Sequence, residues 1–66
     1  MHRVFDEFSR QTGSLRYIGN HPEKGTKIYR HADGTYFGET TSLVDGRKLY
    51  TEIAERFVPG SLKRPE

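Results

Sequence analysis

Apolar and aromatic residues recur in short bursts through the first two thirds of the chain: Leu15-Arg16-Tyr17-Ile18, Ile28-Tyr29-Arg30 and Tyr36-Phe37. Between them lie His21-Pro22-Glu23-Lys24-Gly25 and Ala32-Asp33-Gly34-Thr35. Short apolar bursts divided by Gly, Pro and Asp read as antiparallel strands, and Asp-Gly between two of them is a strong hairpin signal. The pattern predicts a three-stranded meander over residues 14–40. On either side the spacing changes. Val4, Phe5 and Phe8 form one stripe and predict a short helix over residues 1–10, ended by Thr12-Gly13. Leu49, Ile53 and Phe57 recur at i, i+4 and i+8, with Lys48, Glu52, Glu55 and Arg56 opposite. They predict a second helix opening at Asp45-Gly46 and stopped by Pro59-Gly60. The expected fold class is α+β: one small domain over residues 1–60 in the order α-β-β-β-α. The helices are expected on one face of the meander, and residues 61–66 as a flexible polar tail.

Turn length sets register and therefore faces. A two-residue Asp33-Gly34 turn pairs His31 with Tyr36 and Arg30 with Phe37; a turn over residues 21–25 pairs Ile18 with Ile28 and Tyr17 with Tyr29. One face then holds Ile18, Ile28 and Phe37, with Arg16 and Arg30 toward its rim, and suits the Leu49/Ile53/Phe57 stripe. The other holds Leu15, Tyr17, Lys27, Tyr29, His31 and Tyr36 and is expected to be wet. Arg16 opposite Arg30 is unfavourable, which questions the register or calls for an anionic partner.

Composition narrows the classes. A chain of 66 residues buries only about 60% of its unfolded surface, so its stability is marginal and self-association would be one way to bury more. There are no cysteines, hence no disulfide framework or thiolate zinc site. No apolar run approaches the roughly 20 residues of a membrane span and no apolar leader follows the N-terminal basic residues. A soluble, cytoplasmic protein is expected. Eleven Lys and Arg against nine Asp and Glu leave +2, far from the balance of a protein that coats nucleic acid, so distribution matters more than total.

The chemistry on offer is that of binding. Exposed rings beside cations are what single-stranded nucleic-acid binders use. Tyr17, Tyr29 and Tyr36 are expected to stack bases of RNA or single-stranded DNA, and Arg16, Lys27, Arg30 and His31 to meet phosphate. The equally chemical alternative is a protein-binding inhibitor or adaptor that sets the same tyrosines against a host or regulatory protein. An enzyme is not expected: no Gly-rich phosphate loop precedes a helix, and His21-x-Glu23 is only a pair of metal ligands, so neither cofactor nor metal is assigned. The remaining catalytic alternative is a small RNA-cleaving, toxin-like protein in which His31 serves as acid or base near Asp33 and Arg30.

Two resemblances lean the same way and suggest a bacterial or phage-type module. The expected α-β-β-β-α order with residues 28–34 resembles the small HicA-type ribonuclease toxins. Their second strand carries Gly-Ser-His where this chain has Gly25-Thr26-Lys27, so the resemblance implies RNA binding without their catalytic histidine. Residues 19–25, with Ile28-Tyr29 and Gly34-Thr35-Tyr36, resemble the C-terminal repeats of bacterial topoisomerase I, which hold single-stranded DNA. The later Gly-Pro-Tyr run of those repeats is absent.

Overall fold

Seven side chains accept the backbone N–H two residues downstream, at 3.0–3.2 Å: Asp6, Ser9, His21, His31, Asp33, Ser42 and Asp45. Short polar side chains do this because the acceptor sits at the right reach to mimic a backbone turn. One such residue opens every connection between consecutive strands, so the chain's reversals are encoded locally. The computed structural model describes residues 3–63.

Between the turns run five strands: β1 (Val4–Asp6), β2 (Leu15–Asn20), β3 (Lys27–His31), β4 (Tyr36–Thr41) and β5 (Lys48–Ile53). All pair antiparallel, in the spatial order β1-β5-β4-β3-β2. The only helical pieces among the described residues are short 3₁₀ turns at Arg10–Ser14, Glu55–Phe57 and Gly60–Leu62.

The fold is therefore nearly all-β, and the α+β expectation is wrong. The segment expected as the first helix holds β1, which pairs Phe5 with Tyr50 on β5. Met1 and His2 of that expectation, and the last three residues of the expected tail, lie outside the described residues. The segment expected as the second helix supplies a turn, β5 and a 3₁₀ turn. Asp45-Gly46 does not cap a helix: Asp45 accepts the Arg47 amide and Gly46 has φ +79°. The meander thus has four strands, β2 to β5, with β1 added beside β5.

The β2–β3 and β4–β5 hairpins share one turn design. His21 N–H donates to Thr26 O at 2.7 Å and Gly25 N–H to His21 O at 2.8 Å. Ser42 N–H donates to Arg47 O at 2.8 Å and Gly46 N–H to Ser42 O at 2.9 Å. The β3–β4 turn is tighter and corrects the expected register. His31 N–H donates to Thr35 O at 2.7 Å and Gly34 N–H to His31 O at 2.9 Å, leaving a loop of Ala32, Asp33 and Gly34. A two-residue type I′ turn would need positive φ at Asp33, yet only glycines have it among the described residues. Gly34 takes the left-handed position alone, at φ +94°, as in a three-residue hairpin. Pairing shifts by one: Arg30 with Tyr36 and Tyr29 with Phe37. A one-residue slip exchanges faces, so Tyr36 leaves the expected tyrosine face and Phe37 enters it.

On one face Ile28, Tyr36 and Val58 are buried together, with Ile18, Ile53 and Leu62 packed against them. Val58 and Leu62 come from the C-terminal 3₁₀ segment, which covers this side in place of the expected helices. The break in pairing at Ile18 and Gly19 sits opposite Ile28. A side chain on Gly19 would stand 2.5 Å from Leu62 Cδ2, so Leu62 depends on its absence. On the other face Phe37 is wholly buried, its ring centroid 5.0 Å from that of Phe5 and 5.8 Å from that of His31, with the Arg3 guanidinium 5.1 Å away.

Candidate functional site

Strand alternation splits the seven residues expected to form a site. Tyr17, Lys27, Tyr29 and His31 lie on the Phe37 face; Arg16, Arg30 and Tyr36 lie on the Ile28 face. Tyr36 is buried in the core there and offers no ring to a base.

His31 is buried too. Its Nδ1 accepts the Asp33 amide at 3.1 Å, so that lone pair is spoken for, and Nε2 lies 2.8 Å from Gln11 Oε1. The Asp33 carboxylate also lies 3.2 Å from Nδ1. His31 therefore closes the β3–β4 turn and ties it to the Arg10–Ser14 turn. His21 does the same work at the β2–β3 turn, with Nδ1 accepting both the Glu23 and Lys24 amides at 3.2 Å. Among the described residues no three His, Cys, Asp or Glu side chains gather as metal ligands would.

The tyrosines form a row that sequence reading had only in part. Tyr17, Tyr29 and Tyr50 meet edge to face, with centroid separations of 5.6 and 5.4 Å. Tyr50 was missed because its segment reads as a helix. The Glu39 carboxylate lies beside the row and accepts both the Tyr29 hydroxyl, at 3.1 Å, and the Tyr50 hydroxyl, at 3.2 Å. Burial, followed by the bond to Glu39, pushes the Tyr29 phenol up to about 12; burial and the Glu39 charge also raise Tyr50. Both hydroxyls are thereby turned inward. Tyr17 remains the open end of the row, 52% exposed, its hydroxyl bonded to Asn20.

Charge is unevenly placed. Asp33 pairs with Arg3 at 2.9 Å, Asp6 and Asp45 with Arg47 at 2.7 Å, and Glu55 with Lys63 at 4.0 Å. Glu52 holds Arg3 at 3.2 Å, and Glu7 accepts the Lys48 amide at 2.7 Å. The carboxylates are thus largely consumed internally, whereas several cations are not. Arg16, Lys24, Lys27 and Arg30 all sit on the β2–β3 hairpin and make no ion pair among the described residues. Residues 15–31 carry these four cations against Glu23 alone, a balance of +3 in a chain whose total is +2. Arg16 stands directly opposite Arg30. Two like charges across a ladder are destabilising on their own.

Because β2 is the outermost strand, Arg16 and Tyr17 stand on a sheet edge, with Lys27 and Arg30 one strand inward on β3 and Lys24 in the turn between them. The fold and this edge describe a small, nearly all-β domain with one basic hairpin whose edge strand carries Tyr17. Comparison with known proteins finds no matching family model, no curated relative and no similar solved structure, so neither the toxin nor the topoisomerase-repeat resemblance is carried further. No helix among the described residues is long and apolar enough to cross a membrane.

Proposed function

We propose that the protein is a non-enzymatic binding module for RNA or single-stranded DNA, held along the free edge of the β2–β3 hairpin. The observation that carries this reading is the unpaired Arg16–Arg30 couple within a hairpin of balance +3. A polyanion relieves the repulsion that the fold leaves standing, and released counterions drive the association. Arg16, Lys24, Lys27 and Arg30 take phosphates, and Tyr17 stacks a base. Tyr29 supports Tyr17 from behind.

The test is a titration with single-stranded oligonucleotide at two salt concentrations. Affinity is expected to fall steeply as salt rises, and Arg16→Ala with Arg30→Ala to flatten that dependence. Tyr17→Ala is expected to cost about 1–3 kcal/mol of binding in a folded protein. Unchanged affinity in all these variants would overturn the proposal.

One observation favours a second reading, a protein-interaction module. Leu43 and Val44 are 101% and 94% exposed at the tip of the β4–β5 turn, a shape that fits an apolar pocket on a partner protein. Such binding would depend on Leu43 and change little with salt.

A further inference from the structure

Beside the β2–β3 turn the sheet opens into a groove of about 330 Å³, at the small end of the range for ligand sites, roughly 300–1,000 Å³. Buried Ile28 and Gly38 form its floor with Ile53, and Phe57 stands at its side, 62% exposed. Gly38 keeps the floor low: a side chain there would lie 2.8 Å from Ile53 Cδ1 and force Ile53 to move. Lys24 and His21 reach the groove from the hairpin turn, and no carboxylate lines it. Thr40 and Thr51 also line it, and neither side chain has a hydrogen-bond partner among the described residues. The Arg56 guanidinium lies over one face of the Phe57 ring, 4.8 Å from its centroid.

We infer that this groove seats one unpaired base of a single-stranded nucleic acid, stacked against Phe57 over the Ile28–Gly38–Ile53 floor. The features match such an occupant point by point. A base is flat and apolar on its faces but polar at its edge, where the Thr40 and Thr51 hydroxyls can donate or accept. The sugar-phosphate backbone to which it is attached runs on either side with phosphates that Lys24 and Arg56 can meet. A purely apolar occupant would leave the hydroxyls unanswered, and an anionic one without a ring would leave Phe57 and the floor unused. The inference rests on the proposed hairpin function, since the same strand would have to run from the β2 edge past Lys24 into the groove.

The experiment uses the whole chain, labelled at isoleucine methyls and backbone amides. It is titrated with an oligoadenylate hexamer and, separately, with an abasic hexamer of the same phosphate number. Base seating predicts ring-current shifts at the Ile28 and Ile53 methyls with the oligoadenylate only. It also predicts that Phe57→Ala weakens oligoadenylate binding about tenfold, the effect of one lost stacking partner, while leaving the abasic hexamer's affinity unchanged. Phe57 is exposed, so this variant keeps the fold. Oligoadenylate shifts at Tyr17 and the hairpin amides with none at Ile28 or Ile53, and Phe57→Ala binding oligoadenylate as tightly as the parent, would overturn the groove and leave the hairpin function standing. Binding of neither hexamer at low salt would overturn both.

Discussion

A single carboxylate organises the aromatic side of the sheet. Glu39 is strongly sheltered, its side chain 13% exposed, yet it receives two phenol hydroxyls and approaches Lys48 at 4.0 Å. A buried charge is tolerable only when donors replace its water, and two tyrosines from neighbouring strands supply them. The arrangement has a signed consequence. Tyr29 ionises near 10 in an unfolded chain and near 12 here, so its contribution is complete below pH 10 and is lost as pH rises toward 12. Alkaline titration followed by tyrosinate absorbance is expected to show late-ionising phenols that appear together with loss of structure. Glu39→Ala should bring their ionisation earlier and cost about 1.5–3 kcal/mol of stability, the range for hydrogen bonds to a charged group. If the variant titrates like the parent, Glu39 does not hold the row.

At the scale of elements, the β3–β4 turn is the best-braced reversal in the chain. Asp33 accepts the Thr35 hydroxyl and amide, at 2.6 and 3.0 Å, and pairs with Arg3, just before β1. These bonds, the Thr35 hydroxyl foremost, hold its carboxyl far below the ordinary carboxylate range. A depressed value means stability present above the unfolded pKa, near 4, and lost as pH falls through the folded one. Thermal melts of the wild type should therefore decline below about pH 4, with Asp33→Asn melting lower at neutral pH and showing less of that acid decline. Gly34→Ala should cost about 1 kcal/mol at any pH, because a side chain there opposes the positive φ.

That the reversals were legible and the helices were not has a physical cause. Leu49 and Ile53 are four apart, a spacing that fits one face of a helix and, equally, alternate positions on one face of a strand. The intervening Tyr50 and Thr51, good strand formers, are what favours the strand. Asp-Gly was read as a hairpin turn at Asp33 but as a helix start at Asp45, although both glycines take positive φ. The hairpin site was half visible. The β2–β3 turn is one residue longer than expected and sets Gly19, not Ile18, opposite Ile28, and only the bulge at Ile18 restores the expected Arg16–Arg30 pairing. Tyr36 was lost to a one-residue difference between two- and three-residue loops. The groove was out of reach, since it needs Phe57 to line one pocket with Ile28 by a path that no periodicity encodes.

For the whole molecule, the question is how one sheet of a 66-residue chain stays folded without a packed helix. The C-terminal segment supplies the missing layer. After β5, the 3₁₀ turns Glu55–Phe57 and Gly60–Leu62 carry Val58 and Leu62 across the sheet, where Val58 is 4% exposed within the Ile28–Tyr36 cluster. A small domain has only a few kcal/mol of net stability, so one well-buried side chain on this strap is a large share of it. Val58→Ala should cost about 2 kcal/mol through lost burial and the cavity left behind. That corresponds to a melting temperature lower by roughly 8–16 °C for a domain of this size. Leu43→Ser, at the fully exposed β4–β5 tip, should move it by no more than about 4 °C, since surface changes stay within about 0.5 kcal/mol. Calorimetry of the three proteins checks the contrast. Equal melting of Val58→Ala and wild type would mean that the segment does not complete the core and that the sheet stands on its aromatic face alone.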